Sequence, residues 1–149
     1  PKPVYRGFQM LDQLGTRRWR VDGEHATVRV HVGAPDDDAV TSVLLLNVAM
    51  PRHAIATELV TVRLQGLAGR RPRAALLSRI DDTHANPRAA WLRLGSPEYP
   101  HPHQVEALER ASAIRPVALR VDGADGGAAF TLALPADAMA LVRIEWETA

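Results

Sequence analysis

The chain has 149 residues, enough for one domain with a buried core and too few for two ordinary domains. Its composition, 46% hydrophobic and 23% charged, is that of a soluble globular protein, and no apolar run reaches the ~20 residues of a membrane span. Without cysteine it has no disulfide, thiolate zinc site or cysteine nucleophile, and the net charge of +1 predicts no nucleic-acid or membrane partner. The cluster Arg70, Arg71 and Arg73 is expected in a loop flanked by glycine and proline.

A helix is predicted over residues 1–15, where apolar residues recur at helical spacing and Gly15 is placed to end the helix. The apolar stripe consists of Val4, Phe8, Met10, Leu11 and Leu14. It is broader than a marginal surface helix needs, so part of it should lie open to water. We expect Val4, Phe8, Leu11 and Leu14 to contact another domain or a second copy of the chain.

After Gly15 the apolar period changes to two, which predicts β strands at 26–32, 43–48, 60–64, 75–80, 117–121, 129–134 and 140–146. The run 43–48 is continuously apolar, as expected for a strand covered on both faces. Glycines at 122–127 predict a hairpin turn between two strands. We therefore expect a mainly β fold, an antiparallel β-sandwich of about seven to nine strands in two sheets, with an N-terminal helix and two short inserted helices.

The two inserted helices are predicted between residues 86 and 113. Asn86 and Pro87 begin the first helix, and Gly95 ends it. A proline-rich turn leads to the second, which should place Val105 and Leu108 inward. Its charged residues Glu106, Glu109 and Arg110 should face outward.

Three groups of residues are candidate metal ligands, and each has a simpler interpretation. Asp81, Asp82 and His84 end a predicted strand and are more typical of a turn. The pair His101 and His103 straddles a proline and has no third ligand, which a structural zinc site would need. The run 36–38 offers too few oxygen atoms for the six to eight ligands of calcium. We expect no metal and no cofactor.

No catalytic constellation is evident. Glycoside hydrolysis needs two carboxylates facing each other, and Glu58, Glu106, Glu109 and Glu145 make no convincing pair. The serines lack the G-x-S-x-G context, and the glycine-rich segment lacks the lysine of a phosphate loop. The large aromatic residues are too dispersed to define a sugar-stacking platform, and Trp91 and Trp146 are expected to pack in the core.

The segment from Ile80 to Leu108 resembles the C-terminal stretch of glycoside hydrolase family 39, the family of β-xylosidases and α-L-iduronidases. The shared elements are Asp81-x-x-His84-x-Asn86, then Trp91, Gly95-Ser96-Pro97, and the entry into a helix at Pro100-His101-Pro102. Residues 2–15 look like the last helix of the family's (β/α)8 barrel. The resemblance thus divides the chain into a barrel helix at 1–15 and an accessory β-sandwich at 16–149.

The resemblance implies a parent enzyme that retains configuration through two glutamates, both upstream of the last barrel helix. No residue here would then be catalytic, and the partner would be the barrel of the same protein. The motif Asp81, His84, Asn86, Trp91, Gly95 and Pro97 is carried over as structural. Pro87 stands where xylosidases more often place a small polar residue, which leaves an iduronidase-like parent open. An independent carbohydrate-binding or oligomerisation module also remains open, as does the compartment.

Overall fold

The structure is a computed structural model that describes residues 3–36, 39–50, 52–67, 69–124 and 126–147. Within these ranges the chain forms three helices and nine strands. The helices are α1 (Pro3–Asp12), α2 (Pro87–Arg93) and α3 (Pro102–Ser112). The strands are β1 (Arg17–Trp19), β2 (Val28–Ala34), β3 (Val40–Asn47), β4 (Glu58–Leu64), β5 (Arg71–Ile80), β6 (Val117–Ala118), β7 (Asp122–Ala124), β8 (Gly127–Leu134) and β9 (Ala138–Glu147).

The strands form two antiparallel sheets. The larger sheet has the order β1-β2-β3-β9-β5-β6, and the smaller has the order β4-β8-β7. Apolar side chains alternate along β8, where Phe130, Leu132 and Leu134 face the larger sheet. They pack with residues of β3 and β9 such as Val43 and Val142, both fully buried. This is the core of the sandwich.

The larger sheet is also covered on its other face, by α1 and the residues that follow it. Leu44 and Leu141 are fully buried on that face, and they pack with Met10 and Leu14 at the end of the first helix. Since β3 and β9 are covered from both sides, they carry apolar residues at successive positions. The molecule therefore has three layers, in the order small sheet, large sheet, helices.

This architecture confirms the predicted mainly β sandwich, with two antiparallel sheets, an N-terminal helix and two short helices after residue 86. The double coverage predicted for the run 43–48 holds over residues 43–47, whereas Val48 follows the strand and is 43% exposed. The hairpin at 122–127 exists, but its first strand is β7. The predicted strand 117–121 is reduced to Val117–Ala118, which pairs with β5 in the other sheet.

Three predictions of detail are wrong. Arg71 and Arg73 belong to a strand, because β5 begins before the bulge between Pro72 and Ala74. Val105, predicted inward, is 39% exposed, and Trp91, predicted in the core, is 36% exposed. The apolar sides of the second and third helices are therefore only partly covered within this chain. Trp146, in contrast, lies in the core as predicted.

Among the described residues, no helix is long and apolar enough to cross a membrane. Two residues of the aspartate run 36–38, Asp37 and Asp38, lie outside the described ranges. The third, Asp36, accepts a hydrogen bond from the Thr16 hydroxyl at 2.9 Å.

Candidate functional site

The loop between β5 and α2 is organised around the carboxylate of Asp81, whose side chain is only 3% exposed. Its Oδ1 accepts hydrogen bonds from the backbone N–H of Thr83 at 2.8 Å and of His84 at 2.9 Å. The Thr83 hydroxyl donates to the same oxygen at 2.9 Å. The Nδ1 of His84 lies 2.8 Å from Oδ1 and 3.0 Å from Oδ2. All these partners lie within three residues of Asp81, so its carboxylate stabilises the loop through hydrogen bonds within the loop itself.

The electrostatics of this loop favour the ionised carboxylate. Burial by itself raises the pKa of Asp81, because it removes water from the charged form. The hydrogen bonds from His84 and Thr83 act against burial and prevail, so the pKa of Asp81 lies below its ordinary value of 3.8. Asp81 is therefore a negatively charged structural group at neutral pH.

Asn86 continues the same loop into the helix α2. Its Oδ1 accepts a hydrogen bond from the backbone N–H of Arg88 at 3.0 Å, which caps the helix, and Pro87 supplies the first helical residue. Gly95 has a φ of 81° just after the helix. The indole N–H of Trp91 donates to the Pro97 carbonyl at 3.1 Å, which ties the helix to the turn that follows. The six motif residues thus hold one continuous segment.

The helices present a largely apolar surface away from the sheets. We call this surface the helical face and define it by Val4, Tyr5, Phe8, Leu11, Trp91 and Val105, all at least 36% exposed. Trp91 and Val105 also line an open concavity of about 670 Å³ with Pro3, Pro100 and Leu108. An apolar concavity with further exposed apolar side chains on the neighbouring helix is typical of an interaction site.

The helix α1 is fixed to the sandwich at its C-terminal end. Leu14 is buried, so of the four contact residues predicted on this helix only Val4, Phe8 and Leu11 are exposed. The Ser42 hydroxyl donates to the Gln13 carbonyl at 2.7 Å. A Cβ on Gly33 would come within 2.1 Å of the Leu14 carbonyl oxygen, so only glycine permits this approach.

The N-terminal part of this helix is tied to the third helix. Arg6 donates through Nε to the carbonyl of Ser112 at 3.0 Å, at the end of α3. The Ser112 hydroxyl in turn donates to the Glu109 carbonyl at 2.8 Å. The exposed apolar side chains therefore stand on anchored helices.

The other candidate groups do not assemble into a site. His101 and His103 stack with ring centroids 5.9 Å apart, and no described residues form a group of three or more metal-ligating side chains. Glu106 pairs with Arg110 at 3.7 Å on the surface. Glu145 lies 3.9 Å from Arg73, and Glu58 lies 3.6 Å from His25, in each case on the outside of the sandwich.

Sequence reasoning did not identify the helical face as a whole. It selected the first helix because the apolar stripe of that helix is broad and because residues 2–15 resemble a barrel helix, and it expected Trp91 in the core and Val105 facing inward. The number of helices could have indicated it, because three amphipathic helices cannot all bury their apolar sides against one face of one sheet.

Comparison with known proteins gives consistent matches. The family described as glycosyl hydrolases family 39 matches residues 1–126. A beta-xylosidase from Caldicellulosiruptor saccharolyticus is 34% identical over 115 residues, which are 77% of this chain and 23% of that protein.

Solved structures match nearly the whole chain. A GH39 enzyme from Xanthomonas axonopodis pv. citri aligns with 97% of this chain and 30% of its own, with a TM-score of 0.70 and 17% identity. A monomeric beta-xylosidase from Caulobacter crescentus CB15 aligns over the same shares with a TM-score of 0.72 and 20% identity. At these identities the likeness concerns the fold, and the chain spans less than a third of each relative.

Proposed function

Because this chain belongs to glycosyl hydrolases family 39, we propose that it is a non-catalytic accessory region of a retaining β-xylosidase. The reaction would be carried by a (β/α)8 barrel in the same protein, and this region would support that barrel. The relative that is 34% identical bears the name beta-xylosidase, and this chain spans 23% of its length. That share leaves ample chain in the relative for a separate catalytic domain.

The acidic residues support a non-catalytic role. A retaining glycosidase needs two carboxyl groups ~5–5.5 Å apart, one as nucleophile and one as acid and base. Asp81 is held within its own loop by Thr83 and His84. Glu106 and Glu145 lie on the surface beside arginines. Among the described residues, Glu109 is the one carboxylate that lines the apolar concavity and Asp82 the one that lines the second concavity, so neither concavity presents a pair of carboxylates.

The observation that carries the proposal is the helical face. Covering even 300 Å² of apolar surface stabilises by about 7 kcal/mol at ~25 cal/mol/Å², before the costs of association. The occupant we propose is the catalytic barrel, with α1 as its last helix. In the isolated chain the same surface would instead favour a homo-oligomer through α1.

The proposal is tested by comparing residues 1–149 with the complete protein encoded by the gene. The complete protein should hydrolyse nitrophenyl β-xyloside, and residues 1–149 should release nitrophenol at the uncatalysed rate. If the complete protein instead hydrolysed an α-L-iduronide, the proposed accessory role would stand and the proposed substrate would change. Turnover by residues 1–149 that survives purification and disappears in Glu106→Gln or Glu145→Gln would refute the proposal.

A further inference from the structure

A second concavity lies beside the helices and differs in character from the apolar one. It has a volume of about 500 Å³, within the usual range for a ligand pocket. Four arginines from four parts of the chain line it: Arg79 of β5, Arg93 of α2, Arg110 of α3 and Arg115 before β6. Asp82 is the one acidic residue among its described lining residues.

Three of these arginines have unused hydrogen-bonding capacity. In the described part of the chain, the guanidinium groups of Arg79, Arg93 and Arg115 have neither a hydrogen bond nor an ion pair. Arg110 pairs with Glu106 at 3.7 Å, and both side chains are about two-thirds exposed. Such an exposed pair contributes little and is readily exchanged for a better partner.

Helix electrostatics explain only part of this cluster. Arg93 and Arg110 lie in the last turns of their helices, where positive charge is favoured by the helix dipole. Arg79 lies on a strand, where it is half-buried, and Arg115 follows a helix. Arg79 is not at a helix terminus, so the helix dipole does not account for its place in the cluster. A concave surface lined by charges of one sign concentrates the field and attracts an ion of the opposite sign.

The basic concavity and the helical face use different sides of α2. Arg88 and Trp91 line the apolar concavity, whereas Ala89 and Arg93 line the basic one. Residues two apart on a helix point in nearly opposite directions. The basic concavity therefore lies on the side of α2 that faces away from the apolar concavity.

We propose that this basic concavity binds the carboxylate or sulfate group of an acidic saccharide. Guanidinium groups match the geometry of such oxyanions and can donate two parallel hydrogen bonds to each. His84 lies at the edge of the concavity with Nδ1 turned to Asp81, so its Nε2 is available to a sugar hydroxyl. The saccharide part of the inference rests on the proposed function, because a glycoside hydrolase would gain from holding its substrate beside the catalytic domain, and the acidic group is inferred from the four arginines.

The test is a binding titration of residues 1–149, followed by calorimetry or amide chemical shifts, with sodium glucuronate, xylose, a sulfated monosaccharide and inorganic sulfate as probes. Glucuronate or the sulfated sugar should bind, and xylose should not. The double variant Arg79→Gln/Arg115→Gln should weaken binding at least tenfold. The control Arg20→Gln/Arg120→Gln removes the same charge from two exposed arginines that pair with Asp22 and Asp122, and it should bind as the wild type does.

Four outcomes would overturn the inference. They are no binding of either acidic sugar, equal weakening in both double variants, inorganic sulfate binding as tightly as the sugars, and loss of binding in the complete protein. The last would show that the concavity is a contact between domains. Since the titration needs no turnover, the inference can fail while the hydrolase proposal stands.

Discussion

Asp81 is the residue on which the loop before the second helix depends. Its buried carboxylate accepts from two backbone N–H groups, one hydroxyl and one imidazole. Hydrogen bonds to a charged group contribute about 1.5–3 kcal/mol each, more than those between neutral groups. The loop is therefore held by charge-assisted bonds within the chain.

Replacing His84 by alanine should lower the free energy of unfolding by about 1–3 kcal/mol, because it removes a charge-assisted partner from a buried acid. Urea denaturation of the variant measures this loss. His31→Ala is the control, since His31 is exposed on β2, and it should change stability by less than about 0.5 kcal/mol. Stoichiometric zinc binding that disappears in His84→Ala would instead favour a metal site.

The pH dependence of Asp81 gives a second test. Because the pKa of this carboxyl is lowered in the folded state, its ionised form stabilises the fold above the ordinary value of 3.8. That stabilisation is lost as the pH falls through the folded-state pKa. The wild type should therefore be more stable than Asp81→Asn at about pH 7, and the difference should shrink towards about pH 3. A difference that stays constant over this range would contradict the assignment.

For single residues, the sequence predicts turns and helix caps better than it predicts how exposed a side chain is. The types and spacing of Asp81, His84 and Asn86 indicate a turn before a capped helix, and the structure has a capped helix there. The exposure of Trp91 could not be predicted, because a helical pattern shows which side is apolar and not what covers it. The indole N–H of Trp91 bonds to the turn after its own helix, and the sequence does not distinguish this arrangement from a tryptophan buried in the core.

Among the elements, α1 shows most clearly how the apolar residues divide. Met10 and Leu14 are buried against the large sheet, whereas Val4 and Phe8 are 63% and 64% exposed. Its C-terminal end is fixed by the close approach of Leu14 to Gly33. The exposed apolar residues thus belong to a helix that is fixed at one end. This favours their contact with another domain or a second copy of the chain over fraying of the helix.

Without a barrel, residues 1–149 should self-associate through this helix. Sedimentation at increasing concentration should show a dimer in the wild type and a monomer in Phe8→Asp. The charge replaces an exposed ring, so the variant should still fold. The control Leu59→Asp alters an even more exposed residue on the outside of β4, and it should associate as the wild type does. A concentration-independent monomer in all three proteins would contradict association through α1.

The elements with a clear period could be predicted, and the others could not. The strands β3, β8 and β9 are long enough for their apolar pattern to indicate strand and coverage. The strand β6 keeps only two residues of the strand predicted at 117–121, and nothing in the sequence indicated that they pair with β5 in the larger sheet. The chain crosses between the sheets at this point.

In the whole molecule, the helices carry the exposed apolar side chains that we propose are covered by the barrel. The large sheet has the small sheet on one side, and on the other side Met10 of α1 and Leu14 cover it. Composition and period could predict two sheets and three helices. They could not predict which apolar residues of the helices would remain exposed, because that depends on how the helices pack and not on their period.

Hydrogen exchange of residues 1–149 and of the complete protein would reveal whether a barrel covers the helical face. Docking on the helical face should suppress local opening of α1, α2 and α3, so their amides should exchange more slowly in the complete protein. The strands β4 and β8, on the far side of the molecule, should exchange at the same rate in both and serve as the internal control. Equal exchange of the helices in both proteins, or added protection confined to the small sheet, would contradict the account.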